Sequence, residues 1–312
     1  EDGCMILSAS RRTDIPAFYA DWFMRRVEAG FVLTRNPMNH AQLSRIPLSP
    51  ETVDAIAFWT KDPQPMLDRL PALDAVGYRY YFQFTLTPYD RTLERGLRNK
   101  TEIESTFITL SKQLGRERVV WRYDPIILND TLDVSWHREQ FSRMCGVLAP
   151  YTDTVTISFV DLYAKCRSPL LREITPAEMA ELAGFIGETA HAHGLRATAC
   201  CEKTDLTPYG IEKASCIDKA RLEKLCGCPL ALIPDKNQRG GCGCVQSVDI
   251  GMYSTCLNGC VYCYANRSPS AAARQHARHN PGGPLLLGGV LPGETVTERR
   301  FSSAKIRQAS LF

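Results

Sequence analysis

Thr154-Val-Thr-Ile-Ser-Phe159, then Thr175-Pro-Ala-Glu178, then Gly194 and Leu195-Arg-Ala-Thr-Ala-Cys200 form the stretch that decides the fold. The outer runs are strand-length and rich in β-branched residues. Between them Thr175 is a capping hydroxyl, Pro176 suits the first helical position and Glu178 completes a capping box. Gly194 ends the helix. Such a strand–helix–strand unit lays two strands parallel, with the helix on the sheet face.

The rhythm continues on the amino-terminal side. Further strands are expected at Met5–Ser10, Gly30–Arg35, Ala55–Lys61, Tyr78–Thr87 and Arg118–Asp124. Helices are expected near Ala17–Ala29, Pro63–Leu73, Glu102–Leu114, Ser135–Leu148 and Pro176–His193. The pattern reads as an α/β fold, a TIM-type (β/α) barrel, complete or partial. Residues 5–200 form the expected barrel body. Residues 201–266 form a cysteine-rich segment on its mouth, with a helix near Glu212–Leu225 and a brief strand at Ser247–Tyr253. Residues 267–312, rich in Ala, Ser, Gly, Pro and Arg, read as a wrapping tail or lid.

Each strand ends in polar residues: Ser10-Arg11-Arg12-Thr13-Asp14, Thr34-Arg35-Asn36, Trp59-Thr60-Lys61-Asp62, Thr85-Leu86-Thr87, Arg122-Tyr123-Asp124, Ser158 with Asp161, and Cys201-Glu202. In a parallel barrel these ends share one mouth, where active sites sit. The bland alternative is that strands simply exit into solvated loops. Ser10, Arg11, Arg12, Arg35, Asn36, Lys61, Arg122 and Glu202 are the candidates there, with cations suited to carboxylate or phosphate groups. An Arg–Asp pair ordering the first loop is an equal reading of Arg11, Arg12 and Asp14. Trp59, Tyr123 and Phe159 could stack on a base, although core packing is the simpler reading.

The chain of 312 residues is 44% hydrophobic and 23% charged, enough apolar material for a full core. No run reaches the roughly 20 apolar residues of a membrane-spanning helix. Glu1–Cys4 precede a plausible initiator at Met5 and read as an upstream extension, and nothing near Met5 forms a signal-peptide core. A net charge of +3 excludes a strongly basic nucleic-acid binder as a whole-chain reading. Arg267, Arg274, Arg278, Arg299, Arg300, Lys305 and Arg307 make the tail basic, which is commonly a solvated surface and leaves weak nucleic-acid contact open. The six histidines have no metal-binding spacing. A soluble cytoplasmic setting is expected.

Ten of the 13 cysteines lie between Cys200 and Cys263. In a reducing compartment that points to metal binding or redox chemistry rather than disulfides. Cys256-Leu-Asn-Gly-Cys260-Val-Tyr262-Cys263 has C-x3-C-x2-C spacing. Three such thiolates can hold three irons of a cubane and leave the fourth open to a ligand. Gly259 suits tight wrapping, and Tyr262 could pack beside an adenine ring. A structural zinc site using Cys242, Cys244, Cys260 and Cys263 is the alternative.

Cys256, Cys260 and Cys263, with Tyr262, resemble the signature of radical S-adenosylmethionine enzymes, and Gly259–Ala265 is similar to the spore photoproduct lyase branch. More closely, Ser8–Pro16 together with Asp249–Cys256 resembles an uncharacterised bacterial family of unknown function, over most of residues 5–266. The resemblance implies a [4Fe–4S] cluster, S-adenosylmethionine as cosubstrate and an electron donor such as flavodoxin or ferredoxin. It also implies Cys201, Cys216, Cys242 and Cys244 as ligands of a second cluster, with Cys226 and Cys228 as the rival pair. Cys200 and Cys201 are adjacent, so on a strand only one of them is expected to face the site. The superfamily's cysteine loop follows the first barrel strand. Here Ser247–Tyr253 would have to lie beside Met5–Ser10, a circularly permuted order. No Gly-Gly-Glu-like segment follows a second strand. An iron–sulfur electron carrier or redox sensor, and a zinc-stabilised nucleic-acid-binding protein, remain the other classes.

Overall fold

The computed structural model describes residues 5–36, 39, 41–162, 168–238 and 241–306. Its strands are β1 (Ile6–Ala9), β2 (Phe31–Arg35), β3 (Gln42–Pro47), β4 (Ala55–Thr60), β5 (Tyr80–Thr85), β6 (Val119–Ile126), β7 (Thr154–Phe159), β8 (Arg196–Ala199), β9 (Glu212–Lys213), β10 (Val248–Asp249) and β11 (Thr295–Glu298). Its helices are α1 (Ile15–Phe18), α2 (Ala20–Ala29), α3 (Leu70–Val76), α4 (Lys100–Leu114), α5 (Val134–Leu148), α6 (Pro176–Ala192), α7 (Lys219–Cys226) and α8 (Pro269–His276).

Eight strands form one parallel sheet in the order β10-β1-β4-β5-β6-β7-β8-β9. Both end strands come from the cysteine-rich segment. No ladder joins β9 to β10 among the described residues. The Val245 N–H donates to the Ile217 carbonyl at 3.1 Å and ties the chain after β9 to the chain before β10. The central strands are buried along nearly their whole length, as expected for a parallel sheet covered by helices. Phe58 stacks on Phe82 with centroids 4.9 Å apart, and Trp121 stacks on Phe141 at 5.3 Å. The Thr175 capping box is present at α6.

Three expectations are corrected. The run at Gly30–Arg35 is β2, but it pairs antiparallel with β3 in a separate three-stranded sheet, order β11-β3-β2. Its polar exit is therefore absent from the main sheet's end. The helix near Glu212–Leu225 begins only at Lys219, behind an Asp218 cap, because Glu212–Lys213 extend the sheet as β9. The tail holds more regular structure than its weak periodicity indicates. α8 lies there, β11 pairs with β3, and buried Asp54 accepts from Ser303 Oγ at 2.5 Å and Ala304 N at 2.7 Å. No helix among the described residues is long and apolar enough to cross a membrane.

A cysteine-lined cavity as candidate functional site

A cavity of about 340 Å³ opens at the carboxy ends of β1, β4, β5, β6, β7 and β8. Six of the seven polar strand exits contribute to it, through Ser10, Lys61, Thr85, Arg122, Ser158 and Glu202 among others. Arg35 and Asn36 do not. Arg35 pairs with Glu294, and Asn36 Nδ2 donates to Gln42 Oε1 at 3.2 Å, both in the smaller sheet. Tyr123 is also elsewhere. Its hydroxyl bonds His137 Nδ1 at 2.8 Å in the core, whereas Trp59 and Phe159 line the cavity.

The Cys256–Cys263 loop reaches the cavity because β10 lies beside β1. Asp249 of β10 accepts from Ser8 Oγ at 3.0 Å, Ser10 Oγ at 2.6 Å and Arg11 N at 2.9 Å. A Cβ at Gly251 would come within 2.1 Å of Ser10 Oγ, so the strand end needs glycine there. Farther on, Val261 N donates to Leu93 O at 2.9 Å and Gly96 N to Asn258 O at 2.9 Å, docking the loop on residues 93–96. Gly259, with φ 64°, makes its turn.

Cys256, Cys260 and Cys263 all line the cavity. Burial raises the Cys256 thiol, with Asp14 and Cys260 adding to it. Burial pushes Cys260 up to about 12 against the opposing charge of Lys61. Metal ligation would have to displace these protons. Beside Cys260, Lys61 Nζ donates to Glu94 Oε1 at 2.8 Å and to the Tyr262 hydroxyl at 3.0 Å, while Lys100 also pairs with Glu94. Burial works to lower Lys61, and Glu94 more than offsets it, so the ammonium is held. Burial likewise opposes ionisation of Glu94, yet the two lysines hold it down to about 2. Asp14 accepts from Lys61 N at 2.8 Å and Asn258 Nδ2 at 3.0 Å, and burial raises it to about 6. Glu94 and Lys100 sit outside any recognisable motif, and nothing in their sequence neighbourhood marks them.

The other cysteines form a ring. Cys200 Sγ lies 3.0 Å from Cys216 Sγ. Cys216 also meets Cys244, Cys244 meets Cys242, Cys242 meets Cys201, and Cys201 meets Cys200. The adjacent pair was expected to diverge. Instead β8 stops at Ala199 and Cys201 takes φ 54°, so both Cys200 and Cys201 join the ring and line the cavity. Cys242 and Cys244 thus contact Cys201 and Cys216. Cys226 and Cys228 lie off the cavity, with Cys226 Sγ donating to Asp54 O at 3.4 Å. Cys145 is buried in the core, and Cys4 and Cys166 lie outside the described residues.

Arg122 serves this ring. It donates to Asp124 at 2.5 and 3.1 Å, to Gln83 Oε1 at 3.2 Å and to Cys216 Sγ at 3.0 Å. Contacts from Cys200 and Cys244, aided by Arg122, hold the Cys216 thiol well below its ordinary value. Trp59 carries the Arg122 guanidinium 5.4 Å and the Arg11 guanidinium 5.1 Å from its ring centroid. Arg11 Nη2 is buried with no hydrogen-bond partner among the described residues. Arg12 sits over Tyr253 and 3.9 Å from Asp249. Glu202 accepts from Phe159 N at 2.7 Å. Among the described residues no three or more His, Cys, Asp or Glu side chains converge to hold a metal ion.

The architecture and this wall define an α/β protein with a cysteine-rich cavity at the carboxy end of a parallel sheet. Residues 6–265 match the family described as Domain of unknown function (DUF1848), and the chain belongs to it. No curated protein matches the sequence. Among solved structures, a "putative alpha-L-fucosidase" from Bacteroides thetaiotaomicron matches at 11% identity and a TM-score of 0.27, over 57% of this chain and 74% of that one. That likeness is too distant to bear on fold or function.

Proposed function

We propose that the cavity is the reaction chamber of an iron–sulfur enzyme of the radical S-adenosylmethionine type. Cys256, Cys260 and Cys263 would hold a [4Fe–4S] cluster, and Cys201, Cys216, Cys242 and Cys244 a second. The observation that carries this reading is that cysteines from four separate stretches of the chain line one cavity together with Arg11 and Lys61. The donors suit the group by their chemistry. They are soft sulfur ligands, and three from one short loop leave a fourth iron without a protein donor. The orphaned buried Nη2 of Arg11 supports a negatively charged occupant. We read the sheet as a partial barrel in permuted order, because β10 stands beside β1 and feeds the cysteine loop.

The chemistry supplied by such a group is one-electron reduction of the sulfonium of S-adenosylmethionine, with flavodoxin or ferredoxin as donor. This chain's residues would bind and orient around it. Lys61, held protonated by Glu94, places a fixed cation by Cys260. Tyr262 is locked by Lys61 and Glu94, which limits its ring to one wall. Arg122 is fully engaged by Asp124, Gln83 and Cys216, so it acts on the cysteine ring and not on substrate. Arg11 is the cation suited to an anionic or nucleotide-like substrate.

A specific observation favours a second reading, an iron–sulfur electron carrier. Both cysteine groups line the same cavity, so two occupied sites would take up space a cosubstrate needs. Anaerobic reconstitution separates the two. Brown protein that releases 5′-deoxyadenosine from S-adenosylmethionine under dithionite supports the enzyme. Brown protein without release leaves the carrier, and colourless zinc-loaded protein contradicts both.

A further inference from the structure

The ring holds five thiols where a four-donor site needs four, and the surplus sulfur has a place of its own. Cys200 Sγ and Cys216 Sγ are 3.0 Å apart, closer than the about 3.8 Å between two sulfurs of a tetrahedral site with metal–sulfur bonds of about 2.3 Å. Both side chains line the cavity, which gives a small oxidant a route to them. Arg122 Nη1 bonds Cys216 Sγ at 3.0 Å and fixes that sulfur against Cys200. A disulfide of about 2.05 Å needs only about 1 Å of further approach.

We propose that Cys200 and Cys216 form a reversible disulfide in the metal-free protein, with hydrogen peroxide as oxidant. One thiolate attacks a peroxide oxygen and breaks the O–O bond, giving a sulfenic acid and hydroxide. The second sulfur displaces hydroxide from the first as the S–S bond forms. Two thiols are oxidised, one peroxide is reduced, and two waters result. Because Cys216 belongs to the four-donor set, the disulfide removes that set's capacity for metal until a dithiol restores it. Cys200 is then the residue that converts a ligand site into a redox-closed one. The disulfide needs only the metal-free ring and stands or falls separately from the enzyme reading, whereas its effect on metal capacity rests on the four-donor set of that reading.

The test uses full-length metal-free protein, treated with hydrogen peroxide, alkylated and digested with trypsin without reduction. A linked pair of Ala197–Lys203 and Ala214–Lys219 is expected, lighter than the two free peptides by two hydrogen atoms. Fragmentation between Cys200 and Cys201 should place the link on Cys200. Dithiothreitol should release it, and should restore zinc uptake in a portion of the oxidised protein kept folded, unalkylated and undigested. Cys200→Ser should lose the linked pair while Cys201→Ser keeps it. Absence of the pair in the wild-type protein, a link through Cys201, or an unchanged pair in Cys200→Ser would each overturn the proposal.

Discussion

The two groups of cysteines on the cavity wall are built in opposite ways. Cys256, Cys260 and Cys263 come from one eight-residue loop, stand beside Lys61 and Asp14, and have two thiols pushed toward the neutral form by burial. The ring of Cys200, Cys201, Cys216, Cys242 and Cys244 comes from three separate segments, and its sulfurs touch one another under the Arg122 guanidinium. The loop carries its spacing in the sequence and needs the fold only for its position. The ring exists only because β8, the turn after β9 and the approach to β10 meet at the open side of the sheet. Substitutions in the loop should therefore affect one site, whereas substitutions in the ring should also disturb the junction of the sheet's ends.

The largest effect expected is on the contrast itself. Cys260→Ala should reduce S-adenosylmethionine cleavage to background while leaving the ring's metal content intact. Cys216→Ala should lose about half of the bound iron and also lower the melting temperature, since one Arg122 N–H is then left buried without its sulfur partner, at about 1–3 kcal/mol. Iron lost from both sites in either variant, or a melting temperature lowered as much in Cys260→Ala, would collapse the distinction between the two groups.

Next comes the support of the loop. Glu94→Gln leaves Lys61 and Lys100 buried beside a neutral amide, and should destabilise the fold by about 3–5 kcal/mol at neutral pH. The sign with pH follows from Glu94 being held down to about 2 from an ordinary 4.5. Its stabilisation is present above the unfolded value and is lost as pH falls from about 4.5 through about 2. The variant should lose that acid-dependent component in denaturant titrations, and an unchanged acid profile would contradict the assigned network.

A smaller effect is expected where the loop joins the sheet. Gly251→Ala places a Cβ against Ser10 and should cost about 1–3 kcal/mol, with iron content falling as the Asp249–Ser10 contact is displaced. Smallest of all, Arg35→Gln removes an ion pair with Glu294 in the other sheet and should leave the melting temperature nearly unchanged. It should leave metal content unchanged, and a loss of iron in that variant would mean the smaller sheet governs the cavity.

Much of this was legible from local chemistry. Capping at Thr175 and the apolar runs of β4, β5 and β7 announce parallel strands, and polar residues at their carboxy ends announce the wall. Arg35 misled because a strand's polar exit says nothing about which sheet the strand joins; the pairing of β2 with β3 decides that. Cys200 reaches the ring beside Cys201 because strand alternation stops at Ala199, before Cys201 turns the chain. Glu94 and Lys100 were invisible because their role depends on the docking of a loop more than 150 residues away in sequence, a long-range contact with no periodic signature. The second cysteine group was suggested by resemblance alone, and its contacts depend on tertiary pairing.

Whether the loop's three thiolates hold a cluster is decided by iron and acid-labile sulfide, determined together on anaerobically purified protein and on a Cys256→Ala, Cys260→Ala, Cys263→Ala triple variant. Equal amounts of both are expected in the wild type and a partial loss in the triple variant, with cosubstrate cleavage gone. Zinc in place of iron, or undiminished iron and sulfide in the triple variant, would contradict that assignment.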